Sequence, residues 1–136
     1  MMTGHLILTI GLPGSGKSTW ARQQADAVVI ERDALREELT GDMRNHTQEP
    51  RVTREANRRV FDALEAGKTV IVADTNLRAK YRKAWQQVAD DAGATYAVES
   101  FLHVPVDVCI ERDAQRPNPV GEEVIRRMHQ VATSGN

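Results

Sequence analysis

The sequence predicts an α/β fold, a parallel sheet of about four strands with helices on both faces and a helical lid at one end. Three observations carry this reading. Short apolar, β-branched runs alternate with helix-patterned segments along the chain, and that alternation builds a parallel sheet through right-handed crossovers. A glycine-rich turn, Gly11-Leu12-Pro13-Gly14-Ser15-Gly16-Lys17-Ser18, lies between the first such run and the first helix. A breaker cluster, Arg116-Pro117-Asn118-Pro119, separates two helical segments near the C-terminus.

Taken in order, residues 1–5 read as a loose start. Leu6 to Ile10 is a buried parallel strand, since its apolar run is continuous rather than alternating. Lys17 to Ala25 has no Gly or Pro and reads as a helix, with Trp20 and Ala21 toward the sheet. Ala27 to Ile30 is a second strand. Asp33 is a good N-cap type for a short helix over Ala34 to Leu39, which Thr40-Gly41-Asp42 ends. Met43 to Glu49 is polar and irregular. Pro50 suits the first turn of a helix reaching about Ala66, with Val52, Ala56, Val60, Ala63 and Leu64 as its apolar stripe and Gly67 as its stop. Thr69 to Ala73 is the third strand and delivers Asp74-Thr75-Asn76 at its end. A helix from about Lys80 to Ala92 turns Trp85, Val88 and Ala89 inward, and Gly93 caps it. Ala94 to Leu102 is a fourth strand. Helices over Pro105 to Ala114 and Gly121 to Val131 follow, and Thr133 to Asn136 is a frayed tail.

The 136 residues suit one domain, 1–136, with one core. Hydrophobic residues are 40% and charged residues 27%, within the range of ordinary globular chains. No apolar run approaches a membrane span, and no signal-peptide pattern opens the chain. Cys109 is the single cysteine, which fits a reducing cytoplasm and a packing role. The four histidines lack metal-ligand spacing. A net charge of −1 excludes a strongly basic field for nucleic acid, so any polynucleotide must be held by a local patch.

The glycine-rich turn has the pattern G-x-x-x-x-G-K-[ST], with a strand before it and a helix after it, as a phosphate-binding P-loop requires. The fold class is therefore P-loop NTPase-type. Gly14, Ser15, Gly16, Lys17, Ser18 and Thr19 are the residues expected to bind the nucleotide. Glycines let backbone N–H groups close around an anion as a nest. Lys17 can reach the β- and γ-phosphates, and the Ser18 hydroxyl can ligate Mg²⁺. The helix N-terminus adds its dipole.

Ligands bind beyond the C-terminal edge of such a sheet. The P-loop, Asp33 and Asp74 all follow predicted strands and should converge there. Asp33 can cap its helix, act as a general base that takes the proton of an attacking hydroxyl, or do both, since one carboxylate has several acceptor sites. Arg36, three residues on, forms either a surface ion pair or a guanidinium fork on an acceptor phosphate. Asp74 can hold Mg²⁺ through water or orient Arg36, and Asn76 can shape the loop. Arg112 and Arg116 are either a solvated face or lid arginines that neutralise the transferring phosphate. Arg51, Arg54 and Arg58, with Arg59, are either a solvated face or a phosphate-tracking patch.

With these residues in place, the chain resembles the kinase domain of bacteriophage-type polynucleotide kinases. The resemblance covers nearly the whole chain. It rests on Thr9 to Arg22, on Arg32-Asp33 with Arg36, on Asp74-Thr75-Asn76-Leu77, and on Arg112 and Arg116 before Val120. It implies that Lys17 and Ser18 bind NTP phosphates and Mg²⁺, that Asp33 is the general base, that Arg36 grips the acceptor phosphate, and that Arg116 is the lid arginine. Asp74 matches another functional aspartate of the family. The implied reaction is transfer of the γ-phosphate of ATP, or another NTP, to a 5′-OH DNA or RNA end. No membrane or protein partner is implied. The phosphatase domain of the phage enzyme has no counterpart, so removal of 3′-phosphates is not expected. Residues 41–54 match nothing in the family pattern. A kinase for a small-molecule hydroxyl is the alternative, and a nucleotide switch is a third class that would not need Asp33.

Overall fold

A computed structural model describes residues 2–134. Its order is β1 (His5–Ile10), α1 (Lys17–Arg22), β2 (Ala27–Ile30), α2 (Arg32–Thr40), a 3₁₀ turn (His46–Gln48), α3 (Glu49–Glu65), β3 (Thr69–Val72), α4 (Ala79–Asp91), β4 (Thr95–Ser100), α5 (Val106–Ala114) and α6 (Glu122–Thr133). The sheet runs β2-β3-β1-β4 and is parallel throughout.

Alternation along each strand divides the core in two. Leu6, Leu8, Ile30, Val70 and Val72 face one way, toward Leu35, Val52, Ala56, Val60, Leu64, Trp85 and Ala89 of α2, α3 and α4. Ile7, Val29 and Ile71 face the other way, toward Trp20 and Ala21 of α1. Both faces are covered, so the strands read as continuous apolar runs. Each fully buried Leu or Val here contributes roughly 1.5–3 kcal/mol relative to exposure. A separate cluster beyond the strand ends joins Leu12 of the loop to Cys109 of α5 and Ile125 of α6. That cluster is the seat of the helical lid. β4 lies at the sheet edge and is largely exposed. Among the described residues, no helix is long and apolar enough to cross a membrane.

Most element ends lie one or two residues from the sequence reading, and three differences have an identifiable cause. α1 ends at Arg22 rather than Ala25, because the chain turns through Asp26 at φ +63° to reach β2. α2 begins at Arg32 with Glu31 as N-cap, so Asp33 lies in the first turn and is not the cap. The physical reason is a carboxylate from another strand end: Asp74 Oδ1 accepts the Arg32 backbone N–H at 2.9 Å and starts the helix early. The polar stretch before Pro50 contains the 3₁₀ turn, capped by Asn45 Oδ1 on the Thr47 N–H at 3.0 Å. Of the predicted tail, Thr133 belongs to α6, and Gly135 and Asn136 lie outside the described residues.

Candidate active site

The loop Gly11–Ser18 links β1 to α1. Gly14 has φ +82° and Gly16 has φ +100°, a region that residues with a side chain rarely adopt. A Cβ on Gly14 would also collide with the Cys109 carbonyl, so α5 packs directly against the loop. A Cβ on Gly16 would lie 3.9 Å from Arg112 Nη1, which places that guanidinium over the loop. Ser18 is half-buried in the first turn of α1, and Thr19 is exposed. Ser15 is buried and its Oγ has no partner.

Lys17 is 7% exposed, and its Nζ donates to the Leu12 carbonyl at 2.8 Å. Burial pushes its pKa down to about 8. The carboxylates of Asp74 and Asp33 act against that shift, and Arg116 adds to it. These charges come from four different elements or loops, so the fold brings Lys17, Asp33, Asp74 and Arg116 into one electrostatic neighbourhood.

Asp74 follows β3. Its Oδ1 holds the start of α2, while Oδ2 is buried without a partner. Burial raises its pKa to about 6, partly offset by the Arg32 backbone N–H. Thr9 Oγ1 donates to the Asp74 carbonyl at 2.8 Å, and Asn76 Nδ2 donates to the Thr9 carbonyl at 2.9 Å. Asn76 therefore shapes the loop by tying β1 to the end of β3. An orphaned carboxylate oxygen beside a phosphate-type loop, with the Ser18 hydroxyl in the first turn, is a hard-oxygen donor set suited to Mg²⁺. Among the described residues, no group of three or more His, Cys, Asp or Glu could hold a metal alone. An ion here would need nucleotide and water oxygens as well.

Asp33 is held by Arg36, whose Nη1 donates to Asp33 Oδ1 at 2.7 Å. The Asp33 side chain is 47% exposed. Arg36 is not a surface residue: its side chain is only 5% exposed. Its Nε and Nη2 form a two-point fork on Glu49, at 2.6 and 3.0 Å, and Nη1 also donates to the Met43 carbonyl at 3.0 Å. Arg32 Nη2 adds a third bond to Glu49 at 2.9 Å. Four of the five guanidinium N–H groups of Arg36 are thus engaged within the protein. The sequence pattern suggested a fork on an acceptor phosphate. The structure places that fork on Glu49, and Arg36 orients Asp33 instead. The ion pair of the other alternative does form, but with the Arg36 side chain buried and networked rather than on the surface. Asp74 meets Arg32 rather than Arg36.

Above the loop, Asp113 of α5 is 1% exposed and organises the lid. Its Oδ1 accepts from Val120 N–H at 3.0 Å and Arg116 Nη1 at 3.3 Å, and its Oδ2 accepts from Gly121 N–H at 2.9 Å. Arg116 remains exposed, as does Arg112. The arginines of α3 are less available. Arg58 pairs with Glu55 and Asp62, and Arg59 with Glu38 and Glu55. Arg51 donates to the Leu39 carbonyl and Gln48. Half of the phosphate-tracking patch, Arg58 and Arg59, is thus engaged in local ion pairs, while Arg54 is exposed.

Sequence reasoning missed Glu49, Asp113 and Arg44. Asp113 left a signal, a carboxylate three residues before Arg116 and eight before Gly121. Glu49 left none, since its partner Arg36 lies thirteen residues away across an irregular segment.

Comparison with known proteins places this geometry. A protein of Autographa californica nuclear polyhedrosis virus, provisionally named a bifunctional polynucleotide kinase/RNA ligase, is 27% identical over 141 residues, covering 92% of this chain and 20% of the viral protein. The L-seryl-tRNA(Sec) kinase of Methanococcus maripaludis is 28% identical over 133 residues, covering 92% and 51%. The chain thus spans about half or less of the length of these relatives. A chain in the Pnkp1/Rnl/Hen1 RNA repair complex superposes with a TM-score of 0.83 at 24% identity, over 99% of this chain and 46% of that one, a likeness of fold. A family model described as an AAA domain matches residues 6–134. With the P-loop, the parallel sheet and the lid all inside the matched span, the chain belongs to this AAA-domain family, a P-loop group whose relatives include proteins of the polynucleotide kinase type.

Proposed function

We propose that residues 1–136 act as one Mg²⁺-dependent kinase domain that transfers the γ-phosphate of ATP, or another NTP, to the 5′-hydroxyl of a DNA or RNA end. The observation that carries this reading is Asp33. Its carboxylate is fixed by Arg36 at Oδ1 and remains about half exposed, at the strand edge that holds the phosphate loop. A nucleotide switch needs no such base, whereas a phosphotransferase does. The acceptor hydroxyl gives its proton to Asp33 while its oxygen bonds to the γ-phosphorus. The bond from that phosphorus to the β–γ bridging oxygen breaks, and the nucleoside diphosphate leaves.

Gly14, Ser15, Gly16, Lys17, Ser18 and Thr19 cradle the phosphates, with Arg112 and Arg116 closing from above. Ser18 and Asp74 would hold Mg²⁺, which neutralises phosphate charge when bound. A reducing cytoplasm suits the buried free thiol of Cys109. The M. maripaludis relative and the internal engagement of Arg36 favour a second reading, a kinase for a hydroxyl that carries no neighbouring phosphate. Labelled ATP with a panel of 5′-OH DNA, 5′-OH RNA, nucleosides, sugars and serine decides between them. Preferential labelling of 5′-OH oligonucleotides supports the first. Equal labelling of a free nucleoside removes it.

A further inference from the structure

We infer that Arg44 is a positioning residue that latches the lid to the acceptor side of the site. The inference rests on the proposed roles of Asp33 as base and of the 116–121 segment as lid. Arg44 lies after α2, in a segment with its own fixed geometry. Asp42 Oδ1 accepts the Arg44 backbone N–H at 2.9 Å, and the Asp42 carbonyl accepts from Asn45 N–H at 3.0 Å. The neighbouring Met43 carbonyl is held by Arg36. The Arg44 side chain therefore leaves a defined anchor.

From there its guanidinium spans two elements. Nη1 faces Asp33 Oδ2 at 3.6 Å, on the carboxylate oxygen that Arg36 leaves free. Nη2 donates to the Asn118 carbonyl at 2.7 Å, across 74 residues of sequence. Asn118 lies between Pro117 and Pro119, two residues after Arg116. The prolines restrict the backbone on both sides, so a bond to this carbonyl fixes more than one residue. On the far side, the carboxylate of Asp113 holds Arg116, Val120 and Gly121. The lid segment is thus pinned at its root by Asp113 and at its tip by Arg44, and the tip bond ends on the candidate base. A planar fork can satisfy both partners at once, whereas an ammonium is a single point.

The test is amide hydrogen exchange on the full chain with Mg²⁺ and a non-hydrolysable ATP analogue, beside steady-state kinetics. In Arg44→Ala, the Val120 and Gly121 amides should exchange faster by about tenfold, as the loss of one charge-assisted hydrogen bond gives. The KM for ATP should rise by a similar factor, roughly tenfold on the same reasoning, because the segment that carries Arg116 is pinned only at Asp113 and closes over the donor less often. Arg44→Lys should recover only part of both effects. Faster exchange spread evenly over the sheet and α3 would mean lost folding and would overturn the latch. So would wild-type exchange and KM in Arg44→Ala. Exchange needs no acceptor. A localised effect in a chain inactive on every acceptor would remove the kinase reading and leave the latch standing.

Discussion

Lys17 carries its charge in a buried setting, with a pKa of about 8 in place of 10.5. The sign follows from linkage: the folded state holds its proton more weakly than the unfolded chain. Burial of the ammonium therefore destabilises the fold below about pH 8, and the penalty fades as pH rises toward 10.5. Triphosphate binding favours the charged form. Near pH 8 nucleotide binding should take up a proton, visible as a calorimetric enthalpy that changes with buffer ionisation heat. In Lys17→Ala that dependence should vanish along with transfer. Asp33 supports a sharper separation. Asp33→Asn keeps the shape but cannot accept the proton, and kcat should fall on the order of 10²–10⁴. Nucleotide affinity, read by titration, should hold. A loss of affinity with kcat intact would move Asp33 to the donor side.

Near the site, Glu49 of α3 ties down two arginines of α2, and this junction has its own pH signature. The Arg36 fork holds Glu49 down to a pKa of about 2, with help from Arg32. Its folded pKa lies below the unfolded value of 4.5, so the stabilisation is present above 4.5 and is lost as pH falls toward 2. Glu49 is a third exposed, which screens the pair. Glu49→Gln should lower stability at pH 7 by about 1–2 kcal/mol in chemical denaturation, and the gap should close toward pH 2–3. Arg36→Ala should be worse, on the order of 2–3 kcal/mol, because it removes the bonds to Asp33 and Met43 as well and leaves Glu49 with Arg32 alone. At this scale the sequence was informative where the physics is local. β-branched runs placed all four strands, and helical spacing placed Asp33 beside Arg36. The α2–α3 junction was not legible, because the turns of residues 41–48 create it and no periodicity encodes them. The cap position failed for a related reason, since the capping carboxylate comes from Asp74, forty-two residues away.

The whole molecule has a net charge of −1, and two of its α3 arginines, Arg58 and Arg59, are paired with Glu38, Glu55 and Asp62. An oligonucleotide should therefore meet only a few cations. A slope of log K against log salt of about −2 is expected, from roughly two or three neutralised phosphates. The double change of Arg58 and Arg59 to Ala should leave that slope within error, as binding at several salt concentrations would reveal. The convergence of Lys17, Asp33 and Asp74 was legible, because in a parallel sheet everything that follows a strand reaches the same edge. The second layer, Asp113 and Arg44, was not, because it depends on how the lid folds back. Ser15 Oγ and Asp74 Oδ2, both buried and unpartnered, have a thermal consequence. A ligand or cation that meets these two atoms should add stability, so the melting point should report occupancy. With ligand at 100 times Kd, mass action adds about 2.7 kcal/mol. Ser15→Ala removes the unsatisfied hydroxyl. The ligand-free variant should melt at or above the wild-type temperature, yet gain less from MgATP in the same scan. Selection for ligand-free thermal stability alone would then favour variants that bind the nucleotide less well, and only selection on activity would retain Ser15.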